Sequence, residues 1–519
     1  MSKINILWAD DEIDLLKPHL LYLQEKGYDV KAVTNGNDAV EEFGKDNYDI
    51  VFLDENMPGI SGLETLGKIK KIKQGVPVVM ITKSEEETIM DDAIGSKISD
   101  YLIKPVNPGQ ILLSIKKNID KNRLISEKTT SKYQQDFRNI GMTLGGNLNY
   151  LEWNDVYKKL IYWELELERS GGDSSMKEVF LMQKAEANNI FAKFVEKTYL
   201  DWLHPKTADV PVMSHTIMKN RILPLVEKDA GTTYMILIDN LRLDQWKVLQ
   251  PIIEESFKTE SEDSYYAILP TCTQYARNAI FAGLMPAEIE RLHPTLWLND
   301  EEEGGKNMHE EELLAAQLKR LGKSIKFSYN KVTNHETGKR LAESIHTLAG
   351  NKLNVIVYNF VDMLSHARTE MEVIRELASD DAAYRSLTVS WFRHSPLHDI
   401  LKAIAASKSR LIITTDHGTI KVTDPSKIIG DKNTNTNLRY KQGKSLTYQA
   451  KDVFLVKNPA DAYLPRQHVS SVFVFVKENK FFAYPNNYNY FVNYYKNTFQ
   501  HGGISLEEMI IPLVVLSPR

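Results

Sequence analysis

The sequence is poor in the features that mark exported, disulfide-stapled or membrane-spanning chains. Of its 519 residues one is a cysteine, Cys272, which excludes an internal disulfide framework and any thiolate-rich zinc module. Any bound metal must therefore be held by histidine and carboxylate. Long apolar runs are also missing. The longest stretches, such as Ile510 to Leu516, fall far short of the roughly 20 residues of a bilayer-spanning helix, and the N-terminus lacks the basic-then-apolar pattern of an export signal. These absences lead us to expect a soluble, cytoplasmic protein. A basic excess is lacking too: net charge is −5, with 15 Lys against 21 acidic residues up to position 121 and 49 Lys plus Arg against 48 Asp plus Glu beyond it. Without a basic surface a domain has little hold on a long polyanion, so duplex DNA binding is not expected.

What is present is enough length for three or four domains of roughly 100 to 200 residues each, and a 42% hydrophobic composition that supports buried cores. From Ile4 onward, "INILWADDE", "YDVKAVTN", "YDIVFLDENMPG", "VPVVMITK" and "DYLIKP" alternate with amphipathic stretches. Five strands alternating with helices predict a doubly wound parallel sheet, whose working groups gather beyond the carboxyl ends of the strands. Asp10 and Asp11 follow the first strand, Asp54 ends the third, Thr82 ends the fourth, and Lys104 follows the fifth. Converging carboxylates repel one another unless a hard cation such as magnesium sits among them, and a lysine beside them suits phosphoryl transfer to Asp54. Residues 1 to 121 resemble the response-regulator receiver family, a flavodoxin-like fold. The resemblance implies phosphorylation of Asp54 by a sensor histidine kinase, magnesium held by Asp10, Asp11, Asp54 and the main-chain carbonyl of Asn56, and a switch formed by Thr82, Tyr101 and Lys104. Because that switch reshapes the last strand and its flanking helices, phosphorylation is expected to promote a homodimer.

Polar sequence then leads into three patches of helical periodicity. In "WNDVYKKLIYWELELER", Val156, Leu160, Ile161 and Leu167 recur at three- and four-residue steps. A helical bundle is predicted over 122 to 210, with "RSGGDSS" as a turn between helices and Trp153, Trp163 and Trp202 as core residues. Pro205, Pro211 and Pro224 should break whatever follows.

From about 211 to 519 a second parallel-rich α/β sheet is expected, carried by "YMILIDNLR", "YYAILPTCTQYARNAIFAG", "NVIVYNFVDMLSH", "SRLIITTDHGT" and "GGISLEEMIIPLVV". Asp239, Asp362, His366, Asp416, His417 and His501 stand at or near these ends. Mixed carboxylate and imidazole donors favour zinc or manganese over calcium or magnesium. Thr271 and Thr273 lie between a strand end and a helical run, where helix N-terminal amides and a nearby metal lower the cost of ionising a hydroxyl. "YPNNYNYFVNYYKN" reads as an irregular surface segment with buried aromatics, and "NDEEEGGKNMHEEE" as a solvated loop before a helix.

"TTDHGT" and "HGGISLEEMIIP" resemble the PglZ branch of the alkaline phosphatase superfamily, across about residues 215 to 519. That resemblance assigns Asp239, Asp416 and His417 to one zinc and Asp362, His366 and His501 to a second. The superfamily's nucleophile precedes a helix-closing glycine by about ten residues, which counts back from Gly283 to Thr273, with Thr271 as second choice. Arg277 takes the place of a basic residue found in some branches, and Arg242 is a further candidate for steadying phosphate. A receiver, a helical bundle and a PglZ domain in this order resemble the PorX-type response regulators, associated with type IX secretion and gliding. Two outputs follow. One is a zinc-dependent phosphodiesterase or phosphatase acting on nucleotides or short oligonucleotides. The other is an adaptor with a structural metal site that binds a sigma factor or a secretion-motor protein.

Overall fold

The computed structural model describes residues 4–83, 98–170, 174–229, 231–300, 302–359, 380–430, 434–466 and 468–519. The chain forms two compact units, one of residues 1–138 with 163–179 and one of 139–162 with 180–519. Among the described residues no helix is long and apolar enough to cross a membrane.

The first unit is built on strands β1 (Asn5–Ala9), β2 (Asp29–Val33), β3 (Ile50–Asp54), β4 (Val78–Thr82) and β5 (Asp100–Ile103), in the order β2-β1-β3-β4-β5 and parallel throughout. β3 and β4 are buried along their whole length because both faces of the sheet are covered. Leu7, Val51, Leu53 and Met80 pack toward the helices Gly36–Lys45 and Gly62–Ile72, while Ile6, Trp8, Phe52 and Ile81 meet Ile111 and Ile115 on the other side. Those last two belong to a helix that runs unbroken over Pro108–Leu144. Within this unit Trp163 is buried, donates to Asp136 at 3.0 Å and packs on Tyr133 with ring centroids 5.4 Å apart.

The second unit contains a six-stranded sheet made of β6 (Thr233–Ile238), β7 (Phe257–Tyr266), β8 (Phe327–Val332), β9 (Leu353–Tyr358), β10 (Arg410–Thr414) and the C-terminal strand Ile510–Pro518. From one edge the order is β7, the C-terminal strand, β10, β6, β9, β8. The four strands β10, β6, β9 and β8 are parallel; the C-terminal strand runs antiparallel to both of its neighbours. His501 thus reaches the carboxyl rim of the parallel strands from the amino end of the C-terminal strand. Trp153 and Trp202 are buried as expected, packing on Phe191 and Tyr266 with centroids 5.2 Å apart in each case.

Two expectations are corrected. Pro224 does not break a helix: the π-helical turn Met218–Ile222 runs directly into the helix Leu223–Lys228, with Pro224 at the junction. The tyrosine-rich segment is not irregular: Tyr488–Tyr495 is a helix that turns Tyr488, Val492 and Tyr495 inward and leaves Tyr490 and Phe491 exposed, because its aromatics recur at helical rather than alternating steps.

Behind the rim, Arg439 and Glu508 form a fully buried bidentate pair at 3.1 and 2.6 Å. Glu508 also accepts from Gly503 N at 2.9 Å and Ser505 Oγ at 2.7 Å. Arg439→Met strands this carboxylate without its counter-ion. It should lower the stability of the second unit in urea unfolding by about 3–5 kcal/mol, and a loss below about 1 kcal/mol would contradict this role for the pair.

Candidate functional site

In the first unit the register of β1 on β3 pairs Ala9 with Leu53. One residue further it sets Asp10 opposite Asp54, both buried. Exposed Asp11 adds a third carboxylate, the three offering oxygens within 4.8 Å of one another. Lys104, arriving from β5, bridges the buried pair at 2.9 Å to Asp10 and 3.2 Å to Asp54. Burial first, and then the Asp10 charge, raise the Asp54 carboxyl to about 6. Burial and Asp54 raise Glu55, a residue that no motif singles out, to about 6 as well. An oxygen-only set that one lysine cannot neutralise fits a hard divalent cation. Asn56 lies exposed in the loop after β3, Thr82 is buried at the end of β4, and Tyr101 is half-buried against the core.

The second unit repeats the arrangement. The register of β10 on β6 pairs Thr414 with Leu237, and two residues further it brings Asp416 opposite Asp239. With His417 these form a fully buried cluster whose donor atoms lie within 4.8 Å of one another. Arg277, also fully buried, bridges the carboxylates: its Nε donates to Asp416 at 2.9 Å and its Nη2 pairs with Asp239. Burial opposes ionisation of Asp416, but the Arg277 guanidinium beside it holds its carboxyl well below the usual range.

Both imidazoles are oriented by the main chain. His417 Nδ1 lies 3.0 Å from the Gly418 carbonyl oxygen and His501 Nδ1 lies 3.3 Å from that of Thr271. A carbonyl only accepts, so each ring donates through Nδ1, and in His417 this turns Nε2 toward the Asp239 and Asp416 carboxylates, at 3.9 and 4.0 Å. The two rings stack with centroids 4.4 Å apart. Fixed tautomers, paired carboxylate and imidazole donors and the absence of thiolate among them fit a divalent metal ion. Asp362 and His366 lie outside the described residues.

The two threonines differ in their surroundings. Thr273 is the first residue of the helix Thr273–Ala282, which Gly283 closes in the left-handed conformation. Its Oγ1 lies 3.1 Å from His417 Nε2 and 3.4 Å from Asp239 Oδ1. Thr271, in the segment between β7 and that helix, is buried against the loop that carries His501, donating to Gly503 O at 2.8 Å and accepting from Gly502 N at 3.1 Å. Neither arginine stands open to a phosphate. Arg277 lies behind the carboxylates. Arg242 is buried in a separate network, at 2.6 Å from Asp244 and 2.7 Å from Asp381, rather than in a surface salt bridge, and sits over the Tyr384 and Phe499 rings. Glu310, Lys331 and Asn359 complete the surround, and sequence reasoning missed all three. Asn359 Oδ1 accepts from Arg277 Nη1 at 3.2 Å, and Glu310, itself 2.9 Å from Lys331, lies 3.8 Å from the same nitrogen. The acidic stretch containing Glu310 does end in a helix, Glu310–Arg320, but gives no local sign that this one carboxylate turns inward.

Comparison with known families agrees with this geometry. Residues 6–116 match the response regulator receiver domain, 123–203 the PorX response regulator linker domain, and 217–516 the BREX system PglZ alkaline phosphatase-like domain. The chain is therefore a multidomain α/β response regulator, with a flavodoxin-like receiver and an output domain of the alkaline phosphatase type, classes of domain that generally bind divalent metals. It belongs to the PglZ alkaline phosphatase-like family, and its three segments in this order make it a PorX-type response regulator. Transcriptional regulatory protein ResD of Bacillus subtilis (strain 168) is 30% identical over 115 residues, 22% of this chain and 48% of that protein. Transcriptional regulatory protein SrrA of Staphylococcus aureus (strain NCTC 8325 / PS 47) is 27% identical over 131 residues, 25% of this chain and 54% of that one. The chain spans about half the length of these curated relatives. Among solved structures, a CheY-like receiver domain protein from Methanospirillum hungatei JF-1 is 25% identical, with a TM-score of 0.23, covering 23% of this chain and 96% of that one. TrrA from Thermotoga maritima, solved with Mg(2+)-BeF, is 33% identical, with a TM-score of 0.21, covering 22% and 98%.

The raised Asp54 carboxyl has a measurable consequence. Its folded value of about 6 exceeds the ordinary 3.8, so in chelator the wild type loses stability as pH rises from about 4 to about 6 and Asp54 ionises against Asp10. Asp54→Asn removes that charge. At pH 7.5 in chelator it should be more stable in thermal unfolding by about 1–2 kcal/mol, with the gap narrowing toward pH 5. A less stable Asp54→Asn at pH 7.5 would contradict the repulsion described.

Proposed function

We propose that this chain is a phosphorylation-controlled phosphodiesterase: Asp54 accepts phosphate from a histidine kinase with magnesium at Asp10, Asp11, Asp54 and the Asn56 carbonyl, and the PglZ domain hydrolyses nucleotide or short oligonucleotide diesters with zinc. The observation that carries the reading is the place of the Thr273 hydroxyl. It lies at a helix N-terminus, beside a buried carboxylate and an imidazole whose other nitrogen is tied to a carbonyl.

Asp239, Asp416 and His417 would hold one zinc, with Asp362, His366 and His501 as the second set. Such ions supply Lewis acidity and make the threonine hydroxyl easier to ionise. The chain's own groups supply the rest. Thr273 Oγ bonds to phosphorus as one alcohol departs, the first-turn amides of its helix face the developing phosphate charge, and water then cleaves the threonine ester. Arg277 keeps Asp416 ionised against the effect of its burial, and pairs with Asp239 beside it. Thr271 holds the His501 loop. The near balance of charge beyond residue 121 suits a small anion better than a long polyanion, and control of type IX secretion and gliding is the physiological role we assign to this output. A nucleophile-competent threonine in the cluster favours catalysis over a purely adaptor role, in which a sigma factor or secretion-motor protein would be bound without chemistry.

With zinc-loaded full-length protein and a panel of phosphodiesters, Thr273→Val should lower kcat by about a hundredfold or more with zinc content and folding retained, since a nucleophile acts in the transition state. Thr271→Val should act differently, loosening the His501 loop and reducing zinc retention together with stability. Wild-type turnover in Thr273→Val would transfer the assignment to Thr271, and no turnover by wild type under any metal or phosphorylation condition would favour the adaptor.

A further inference from the structure

The turn that carries Thr273 is held from outside its own helix. The helix Thr273–Ala282 begins at Cys272 without a side-chain hydrogen bond to cap it, and an uncapped first turn is where a helix frays. A neighbouring segment makes up the hold. Gln274 Nε2 donates to Leu298 O at 2.8 Å, Asn278 Nδ2 donates to Lys306 O at 3.1 Å, and the Trp297 ring stands edge-on to Tyr275 at a centroid separation of 5.6 Å. Asn307 supplies the contact that reaches Thr273 itself. Its Nδ2 donates to the main-chain oxygen of Thr273 and to Asn278 Oδ1, at 3.1 Å in each case, so both of its amide protons serve the helix start.

Asn307 is in turn anchored to the cluster. Lys331 Nζ donates to its main-chain oxygen, and to Glu310 Oε1 at 2.9 Å, and Glu310 lies 3.8 Å from Arg277 Nη1. Arg277 pairs with Asp239, whose Oδ1 lies 3.4 Å from Thr273 Oγ1. These contacts close a ring that leaves Thr273 by its hydroxyl and returns to its carbonyl through Asn307. With both groups of one residue tied in, a shift of the turn would carry Oγ1 away from Asp239 and His417. We propose that Asn307 is the positioning residue of Thr273, acting through the main chain of the nucleophile rather than on the substrate. The inference rests on the diesterase reading and adds to it the residue that aims its nucleophile.

Zinc-loaded full-length protein and the p-nitrophenyl ester of thymidine 5′-phosphate give the test. A misplacement of about 1 Å can cost on the order of a hundredfold in rate. Asn307→Leu, similar in size but unable to donate, should therefore lower kcat per zinc-loaded molecule at least about tenfold, with KM and zinc content kept. Asn307→Gln retains the donor and should recover most of the loss. A residue that only stabilised the fold would lower Tm and zinc content and leave kcat per loaded molecule as in wild type, and that result overturns the proposal. So does a loss confined to KM. If Asn307→Leu does not fold, Asn307→Ala replaces it. If wild type does not cleave the ester, the diesterase reading fails, and hydrogen–deuterium exchange decides the hold on the turn alone. Faster exchange in the helix Thr273–Ala282 of the Asn307 variant, with β6 and β10 unchanged, supports it, and equal exchange overturns it.

Discussion

Both units depend on one constraint, a pair of buried aspartates set opposite each other by the register of two adjacent parallel strands. Asp10 and Asp54 stand at the ends of β1 and β3, and Asp239 and Asp416 beyond β6 and β10. Parallel strands end together on one rim, and a hydrophobic sheet covered on both faces leaves little water there, so two carboxylates in register are pressed together where their repulsion is least screened. Each pair is bridged by one cation from a third element, Lys104 in the first unit and Arg277 in the second. One positive charge against two or three negative ones leaves a deficit that a divalent ion satisfies. The same geometry in both places is what the proposed reading uses, with phosphoryl transfer to an aspartate in one unit and to a threonine in the other.

Holding such a cluster requires a stiff surround. In the second unit the strings around Asp416 and His501 interlock by main-chain contact. A side chain on Gly418 would meet the Glu507 carbonyl oxygen at 2.0 Å, and one on Gly503 would meet that of Val476 at 2.6 Å. These approaches set the carbonyls and loops that orient the two histidines, and the buried Arg439–Glu508 pair locks the loop from behind. Glu507 points the other way, to Lys184 at 3.3 Å and Asn188 at 3.1 Å on the helix Ser174–Leu203. The loop bearing His501 is thus braced from two sides.

Much of this is legible in the sequence, for reasons that are local. Apolar runs ending in Asp, Thr or Lys mark strand ends on a rim, so Asp10, Asp54, Asp239, Asp416 and His417 declare themselves by position along the chain. What is not legible is non-local. Glu310, Lys331 and Asn359 meet around Arg277 only after three elements converge, and no spacing announces it. Arg242 looks like a rim cation because it follows Asp239 by three residues, yet its helix start turns it toward Asp244 and Asp381. Between Thr271 and Thr273, two residues apart, residue type and neighbourhood do not choose and only the resemblance ranks Thr273 first; the start of the helix at Thr273 sends one hydroxyl against the His501 loop and the other toward the cluster. The tyrosine-rich segment misleads because asparagine and proline imply loop, whereas its aromatic spacing is helical.

The most direct test of the central claim, that the Asp239–Asp416–His417 cluster serves a threonine nucleophile, is to catch the ester. Zinc-loaded full-length protein, mixed with less than one equivalent of a thymidine 5′-phosphate p-nitrophenyl ester, quenched in acid at short times and mapped by fragment mass spectrometry, should carry the nucleotidyl mass on Thr273. An adduct on Thr271 or elsewhere, or complete turnover with no threonine adduct at any quench time, would contradict the account.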